Sequence, residues 1–116
     1  SESRHQYDQA LKLADRGIEL APDNPHLRDT RGVVLCRLKR HRDALADFQR
    51  CLELVRTPAD RVAALLQLAR TYKVLNNRAE RQRCIEELRR IEGRTPVMTP
   101  EQRAEIEQLE TADVND

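Results

Sequence analysis

The chain has 116 residues, of which 39% are hydrophobic and 35% charged; it contains no Trp and three Gly, and its formal net charge is +1. This length predicts a single domain with a modest core, and the shortage of glycine and aromatic residues favours helices over a β-sandwich or barrel. Near-neutral charge and few aromatic residues argue against nucleic-acid binding, and no apolar run reaches the roughly 18 residues that span a membrane.

Apolar residues recur at spacings of three and four along most of the chain, which predicts amphipathic helices. Pro22 and Pro25 end the first helix, and Asn24 is expected to cap the second, with Pro25 in its first turn. Asp43 is expected to cap the third helix and Gly93 to end the fifth. The first five predicted helices span residues 4–21, 24–38, 43–55, 59–75 and 78–91.

A capping box opens a sixth helix, at residues 99–110, after a linker at 93–98. Thr99 and Gln102 stand three residues apart, the spacing at which each side chain can satisfy a backbone amide of the other residue. We therefore expect this helix to begin at Thr99.

The C-terminal region is acidic, since residues 101–116 hold six acidic residues and one basic residue. We predict that the sixth helix packs Ile106 and Leu109 over the last hairpin as a polar cap, because the end of a repeat array needs a solvated face. Its acids are expected to lie near arginines, and residues 111–116 to fray.

Three cysteines, Cys36, Cys51 and Cys84, form no C-x-x-C pair. This pattern argues against a disulfide framework or zinc knuckle and is typical of a reducing, hence cytoplasmic, compartment, although a chain that begins at Ser1 can be part of a longer protein. Cys36 and Cys51 are expected to be small packing residues, and Cys84 to be more exposed. No histidine and cysteine stand at ligand spacing, so we predict no metal and no cofactor.

His41-Arg42-Asp43 resembles the catalytic-loop triplet of protein kinases. That motif requires an Asn five residues after the Asp, where this chain has Phe48, and the chain has no glycine-rich phosphate loop. The basic run from Arg37 to Arg42 could bind phosphate. Basic side chains at the C-terminus of a helix, however, more commonly serve to interact favourably with the negative end of the helix dipole. We therefore predict no catalytic site and no nucleic-acid site.

The helices repeat as hairpins with a period of 34 residues, which predicts stacked units that bury a shared core. Gly32 lies twelve residues before Ala44, and Ala69 lies twelve before Arg81. The spacing of Ala10, Ala14, Gly17 and Pro22 recurs as Ala44, Phe48, Cys51 and Arg56 and, after an insertion of three residues, as Arg81, Ile85, Leu88 and Gly93.

This pattern resembles the tetratricopeptide repeat (TPR) family, whose consensus has a small residue in the first helix, then Ala, an aromatic residue, Ala and Pro in the second. Gly32, Ala44 and Phe48 match best, while Arg81 and Arg56 depart from the expected Ala and Pro. The resemblance implies an all-α, antiparallel helix-hairpin array, a right-handed α-solenoid segment of about two and a half repeats plus a C-terminal capping helix. The implied organisation is TPR-like repeats in residues 1–95, divided as 4–21, 24–56 and 58–92, followed by a linker, capping helix and acidic tail in 96–116.

The resemblance also implies a non-catalytic protein-interaction scaffold that binds a peptide or partner segment in a concave, partly basic groove, suited to an acidic segment. The positions implied to contact a partner are Asp29, Val33, Arg37, Gln67, Arg70 and Lys73. The carboxylate clamp of chaperone-binding members is not expected, because the places of its Lys and Asn are assigned to Asp29, Val33, Ala63 and Gln67.

An alternative is a structural or self-associating segment of a larger protein without a dedicated peptide ligand. Residues 4–21 would form a second helix that lacks its hairpin partner. An uncovered apolar helix face predicts homodimerisation through this helix.

Overall fold

The computed structural model describes the backbone of residues 2–115 and the side chains of residues 2–111. Its helices are α1 (Glu2–Leu20), α2 (Pro25–Arg37), α3 (His41–Leu54), α4 (Pro58–Val74), α5 (Arg78–Arg94) and α6 (Pro100–Asn115). No strand occurs within residues 2–115, and the prediction of an all-α helical array is confirmed. No helix in this part of the chain is both long and apolar enough to cross a bilayer. Asp116, the last acid of the predicted tail, lies outside the described residues.

Two predicted helix starts are confirmed by their hydrogen bonds. The Asn24 side chain accepts from the His26 amide at 2.9 Å, ahead of Pro25 in the first turn of α2. In the capping box, the Thr99 hydroxyl accepts from the Gln102 amide at 3.1 Å, and the Gln102 side chain accepts from the Thr99 amide at 3.0 Å. Local side-chain chemistry therefore sets where α2 and α6 begin.

The predicted start of the third helix is wrong by two residues. α3 begins at His41, so Asp43 lies in its first turn instead of capping it. Lys39 has a φ of 63°, in the left-handed region, and this conformation reverses the chain within a very short turn. The Asp43 carboxylate pairs with Arg40, with Nε and Oδ2 2.9 Å apart.

The predicted end of the fifth helix is also wrong. Gly93 lies inside α5, which continues to Arg94 with Thr95 as its C-terminal cap. Thr95 precedes Pro96, and proline pushes the preceding residue out of the α region, so the proline ends the helix in place of the glycine. The backbone of α6 remains helical to Asn115, beyond its predicted end.

The chain divides into two compact units, one up to Val55 and one from Arg56 onward. In the first unit α2 and α3 form a hairpin against which α1 packs, and Gly32 of α2 faces Phe48 of α3. In the second unit α4 and α5 form the hairpin, and α6 contacts both helices. Each unit therefore holds one helix hairpin and one additional helix.

The turns of the two hairpins share one backbone geometry. Lys39 and Asn76 both have a positive φ, 63° and 57°. In each turn the amide of the next residue, Arg40 or Asn77, donates to the carbonyl five residues before it. The hairpins therefore correspond at a spacing of 37 residues, which equals the 34-residue period plus the insertion of three.

Candidate functional site

The clearest charged contact in the second unit joins the hairpin to the C-terminal helix. Arg70 on α4 donates two hydrogen bonds to the Glu105 carboxylate on α6, from Nε at 2.5 Å and from Nη2 at 2.6 Å. Its Nη1 also donates to the Gln67 side chain at 3.2 Å. The hydrogen bonds from Arg70 hold the pKa of Glu105 below its ordinary value, although partial burial opposes the shift. Arginine thus recognises a carboxylate here in the two-pronged geometry that suits it.

The remaining contacts of α6 dock the helix along one face. Ile106 and Leu109 are 0% and 4% exposed. Glu110, one turn after Ile106, pairs with Arg89 of α5. Acidic side chains therefore flank an apolar stripe on the side of α6 that meets the α4–α5 hairpin.

The linker before α6 is held by Glu92 of α5. Its carboxylate accepts from the Met98 amide at 3.1 Å and pairs with Arg103 at 3.2 Å. The Arg103 side chain also donates to the Met98 carbonyl at 2.8 Å. This network fixes the position from which α6 leaves the linker.

The six predicted partner-binding residues occupy two helices. Asp29 and Val33 are half-buried on α2 and Arg37 is exposed, all in the first unit. In the second unit, Gln67 is half-buried on α4, and Arg70 and Lys73 are exposed. Among these, Arg70 is already engaged by a carboxylate of the same chain.

The four places assigned to the carboxylate clamp hold Asp29 and Val33 on α2 and Ala63 and Gln67 on α4. None of these residues is the Lys or Asn of a chaperone clamp, and the absence of that clamp stays a prediction.

Sequence reasoning missed a cleft in the first unit, between α1, α2 and α3. The cleft has a volume of about 380 Å³ and is lined by four arginines, three aspartates and three apolar residues. Its deepest acid is Asp47, whose side chain is 3% exposed. The lining residues are Leu11, Asp15, Arg28, Arg31, Leu35, Arg40, Arg42, Asp43, Ala46 and Asp47.

Two arginines of α2 share the buried Asp47. Arg31 donates to both carboxylate oxygens at 2.8 Å and reaches Asp15 of α1 at 3.1 Å. These hydrogen bonds, with Asp47 first, raise the pKa of Arg31 above its ordinary value despite partial burial. Arg28 lies 3.6 Å from Asp47, and its buried Nε has no hydrogen-bond partner in the part of the chain described. An unsatisfied buried donor of this kind costs about 1–3 kcal/mol.

The other hairpin has apolar residues where the cleft is charged. At a spacing of 37 residues, the positions equivalent to Arg28 and Arg31 are occupied by Leu65 and Leu68, and both leucines are buried. The position equivalent to Asp47 is occupied by Cys84. Well-packed apolar residues often match or exceed a buried ion pair in stability, by up to about 4 kcal/mol. The charges are therefore a special feature of this unit, beyond what the hairpin needs to fold.

The predicted exposure of Cys84 is wrong. Cys84 is 8% exposed, whereas Cys36 is half-buried and Cys51 is buried. Burial, with a smaller effect of the Glu80 carboxylate, raises the pKa of the Cys84 thiol to about 11. The described residues hold no group of three or more metal-ligating side chains.

Comparison with known proteins finds a related repeat protein. The chain is 36% identical over 81 residues to the TPR repeat-containing thioredoxin TTL4 of Arabidopsis thaliana. The match covers 68% of this chain and 11% of that protein, so the chain spans about a ninth of its relative. No protein-family model matches the chain. With its paired helices and repeated turns, the chain is a TPR-like, all-α helical repeat array.

Proposed function

We propose that this chain is a non-catalytic protein-interaction module of the TPR family. We further propose that its α4 face, formed by Gln67, Arg70 and Lys73, binds an acidic, amphipathic helical segment. The observation that carries the proposal is the docking of α6, an acidic helix, through Glu105 on Arg70. Lys73 is exposed one turn further along α4 and adds a second positive charge. The first-unit positions Asp29, Val33 and Arg37 would contact a partner on α2.

The likeness to a TPR repeat-containing protein supports an interaction role over catalysis. The relative is also named a thioredoxin, but thioredoxin-type redox chemistry uses a C-x-x-C pair. The three cysteines of this chain contain no such pair, and Cys84 has a raised thiol pKa, which suppresses the reactive thiolate. We therefore assign the sequence similarity to the TPR repeats of the relative.

Competition between α6 and an added peptide tests the α4 face. The probe is a fluorescent peptide with the sequence of residues 99–111, titrated into the full chain and followed by anisotropy. Glu105→Gln removes the carboxylate that occupies Arg70, so we expect the peptide to bind about fivefold more tightly, equivalent to about 1 kcal/mol. Arg70→Gln should abolish this gain.

A matched control lies on the same helix. Glu107 is exposed and forms no ion pair within the described residues, so Glu107→Gln removes the same charge from α6 without freeing Arg70. Equal peptide affinities for Glu105→Gln and Glu107→Gln would refute the proposed role of Arg70. Circular dichroism spectra of the variants check that the helices are retained.

A second candidate function is self-association through α1, and an uncovered apolar face favours it. Leu13 and Leu20 are 75% and 70% exposed and stand seven residues apart, on one side of the helix. Sedimentation velocity over a concentration series should then show a dimer that Leu13→Gln and Leu20→Gln together dissociate. A monomer at every concentration would exclude this candidate.

A further inference from the structure

The first-unit cleft has more positive than negative charge. Four arginines against three aspartates give a net charge of +1 among its lining side chains. Arg31 is satisfied by Asp47 and Asp15, and Arg40 by Asp43. Arg28 shares Asp47 with Arg31 at the longer distance of 3.6 Å, and Arg42 has no carboxylate partner among the described residues.

Each of these two arginines has unused hydrogen-bonding capacity. The Nε of Arg28 is buried and has no acceptor among the described residues, and its nearest carboxylate oxygen lies at 3.6 Å. Arg42 lines the same cleft, is exposed, and forms no ion pair within the described part of the chain. A planar oxyanion is the ligand whose geometry matches a guanidinium fork.

We propose that the cleft between α1, α2 and α3 binds one carboxylate group of a partner protein, with Arg28 and Arg42 as its two donors. A single negative charge neutralises the net +1 of the lining. A doubly charged group would instead leave an excess negative charge beside Asp15, Asp43 and Asp47. The proposal takes from the proposed function only that the partner is a protein, and because it concerns α1–α3 it can fail independently of the α4 face.

The repeat itself supports a binding role for these residues. The hairpin of the second unit folds with Leu65 and Leu68 at the places of Arg28 and Arg31. A unit that has charged side chains at positions where its counterpart has leucines departs from the local packing rule, and such departures concentrate at functional sites. The same comparison supplies the test variant, Arg28→Leu, which introduces the residue that the second hairpin already accommodates.

The experiment titrates the full chain with sodium acetate at constant ionic strength and follows the Arg Nε–Hε signals by NMR. We expect saturable, millimolar binding that shifts the Arg28 and Arg42 signals, because an isolated carboxylate on a partly exposed site binds weakly. Arg28→Leu and Arg42→Gln should each weaken binding about tenfold or more. Arg94→Gln, which removes an exposed arginine of the second unit, should leave it unchanged.

Three outcomes would overturn the proposal: shifts that rise linearly without saturation, an affinity unaffected by both cleft variants, or saturation by inorganic phosphate but not by acetate. Since Arg42 is exposed, Arg42→Gln decides the matter even if Arg28→Leu fails to fold. Parallel titrations with N-acetylglycine and with glutamate blocked at both main-chain ends then separate the two sources of a protein carboxylate. Tighter binding of the first indicates a chain terminus, and tighter binding of the second an acidic side chain.

Discussion

Replacing Gly32 by alanine should destabilise this protein, although Gly→Ala within a helix ordinarily stabilises by about 0.5–1 kcal/mol. A Cβ at Gly32 would lie 2.4 Å from Cε1 of Phe48 and 2.8 Å from two more carbons of the same ring. The ring is 1% exposed, so it is surrounded by protein atoms and cannot move aside without displacing its neighbours. Overpacking of this kind costs about 1–3 kcal/mol, which exceeds the gain in helix propensity.

The other glycines provide internal controls for this prediction. At Gly93 a Cβ would meet no atom within 4 Å, so Gly93→Ala should be neutral or stabilising. At Gly17 the nearest atom is Cδ2 of Leu27 at 3.0 Å, the end of a flexible side chain, and the effect should be intermediate. The unfolding free energies of Gly32→Ala and Gly93→Ala should therefore differ by about 1–3 kcal/mol.

The assay is urea denaturation monitored by circular dichroism at about 222 nm. The slope of the unfolding free energy against urea concentration is compared between the variants and the unmodified chain, to confirm that the same transition is measured. The double variant Gly32→Ala/Phe48→Leu tests the cause, because a smaller side chain removes the ring that the new methyl group meets. The cost of Gly32→Ala should then fall by more than about 0.5 kcal/mol. Equal stability of Gly32→Ala and Gly93→Ala would refute the reasoning.

Further expectations concern a thiol, an ion pair and a buried acid. With a thiol pKa raised to about 11 by burial, Cys84 should react with iodoacetamide at mildly alkaline pH far more slowly than the half-buried Cys36, as measured by mass spectrometry; equal rates would contradict this. The pKa of Glu105 is lowered from its ordinary value of 4.5 in the folded chain. The ionised Glu105 carboxylate therefore contributes its full stabilisation of the folded chain above pH 4.5, and this contribution is lost as the pH falls through the lowered pKa. Below pH 4.5 the unmodified chain should lose up to about 1 kcal/mol more stability than Glu105→Gln, and parallel pH curves would exclude the effect. Asp47→Ala leaves two guanidinium groups without their carboxylate and should cost about 2–4 kcal/mol in urea denaturation, against under about 1 kcal/mol for the exposed Asp43→Ala; similar losses would show that burial of the pair is unimportant.

Signals that act over a few residues predicted the elements well. The capping hydrogen bonds of Asn24 and of Thr99 with Gln102 lie where the residue types place them, because a cap involves only neighbours in the chain. The two wrong boundaries have local causes of a different kind. Lys39 adopts a left-handed backbone conformation, which is uncommon for residues other than glycine. At the end of α5, the helix is terminated by Pro96 and not by Gly93.

The charged contacts that define the candidate sites join residues distant in sequence. Arg31 and Asp47 are separated by 16 positions, and Arg70 and Glu105 by 35. The pattern of arginines and acids indicated attraction between α6 and its neighbours but not which pairs would form. Pair identity depends on the rotation of each helix about its axis, which is decided by packing.

The sequence by itself determined an all-α repeat, because apolar periodicity, prolines and small residues at a fixed spacing encode helices and their close approach. It did not determine that Cys84 is buried or that Arg28 and Arg31 meet around Asp47. In the sequence these arginines look like members of a solvated helix face. Only tertiary packing decides which side of a helix is covered, and it thereby turns the same residue type into a surface charge at Arg37 and a cleft-lining donor at Arg28.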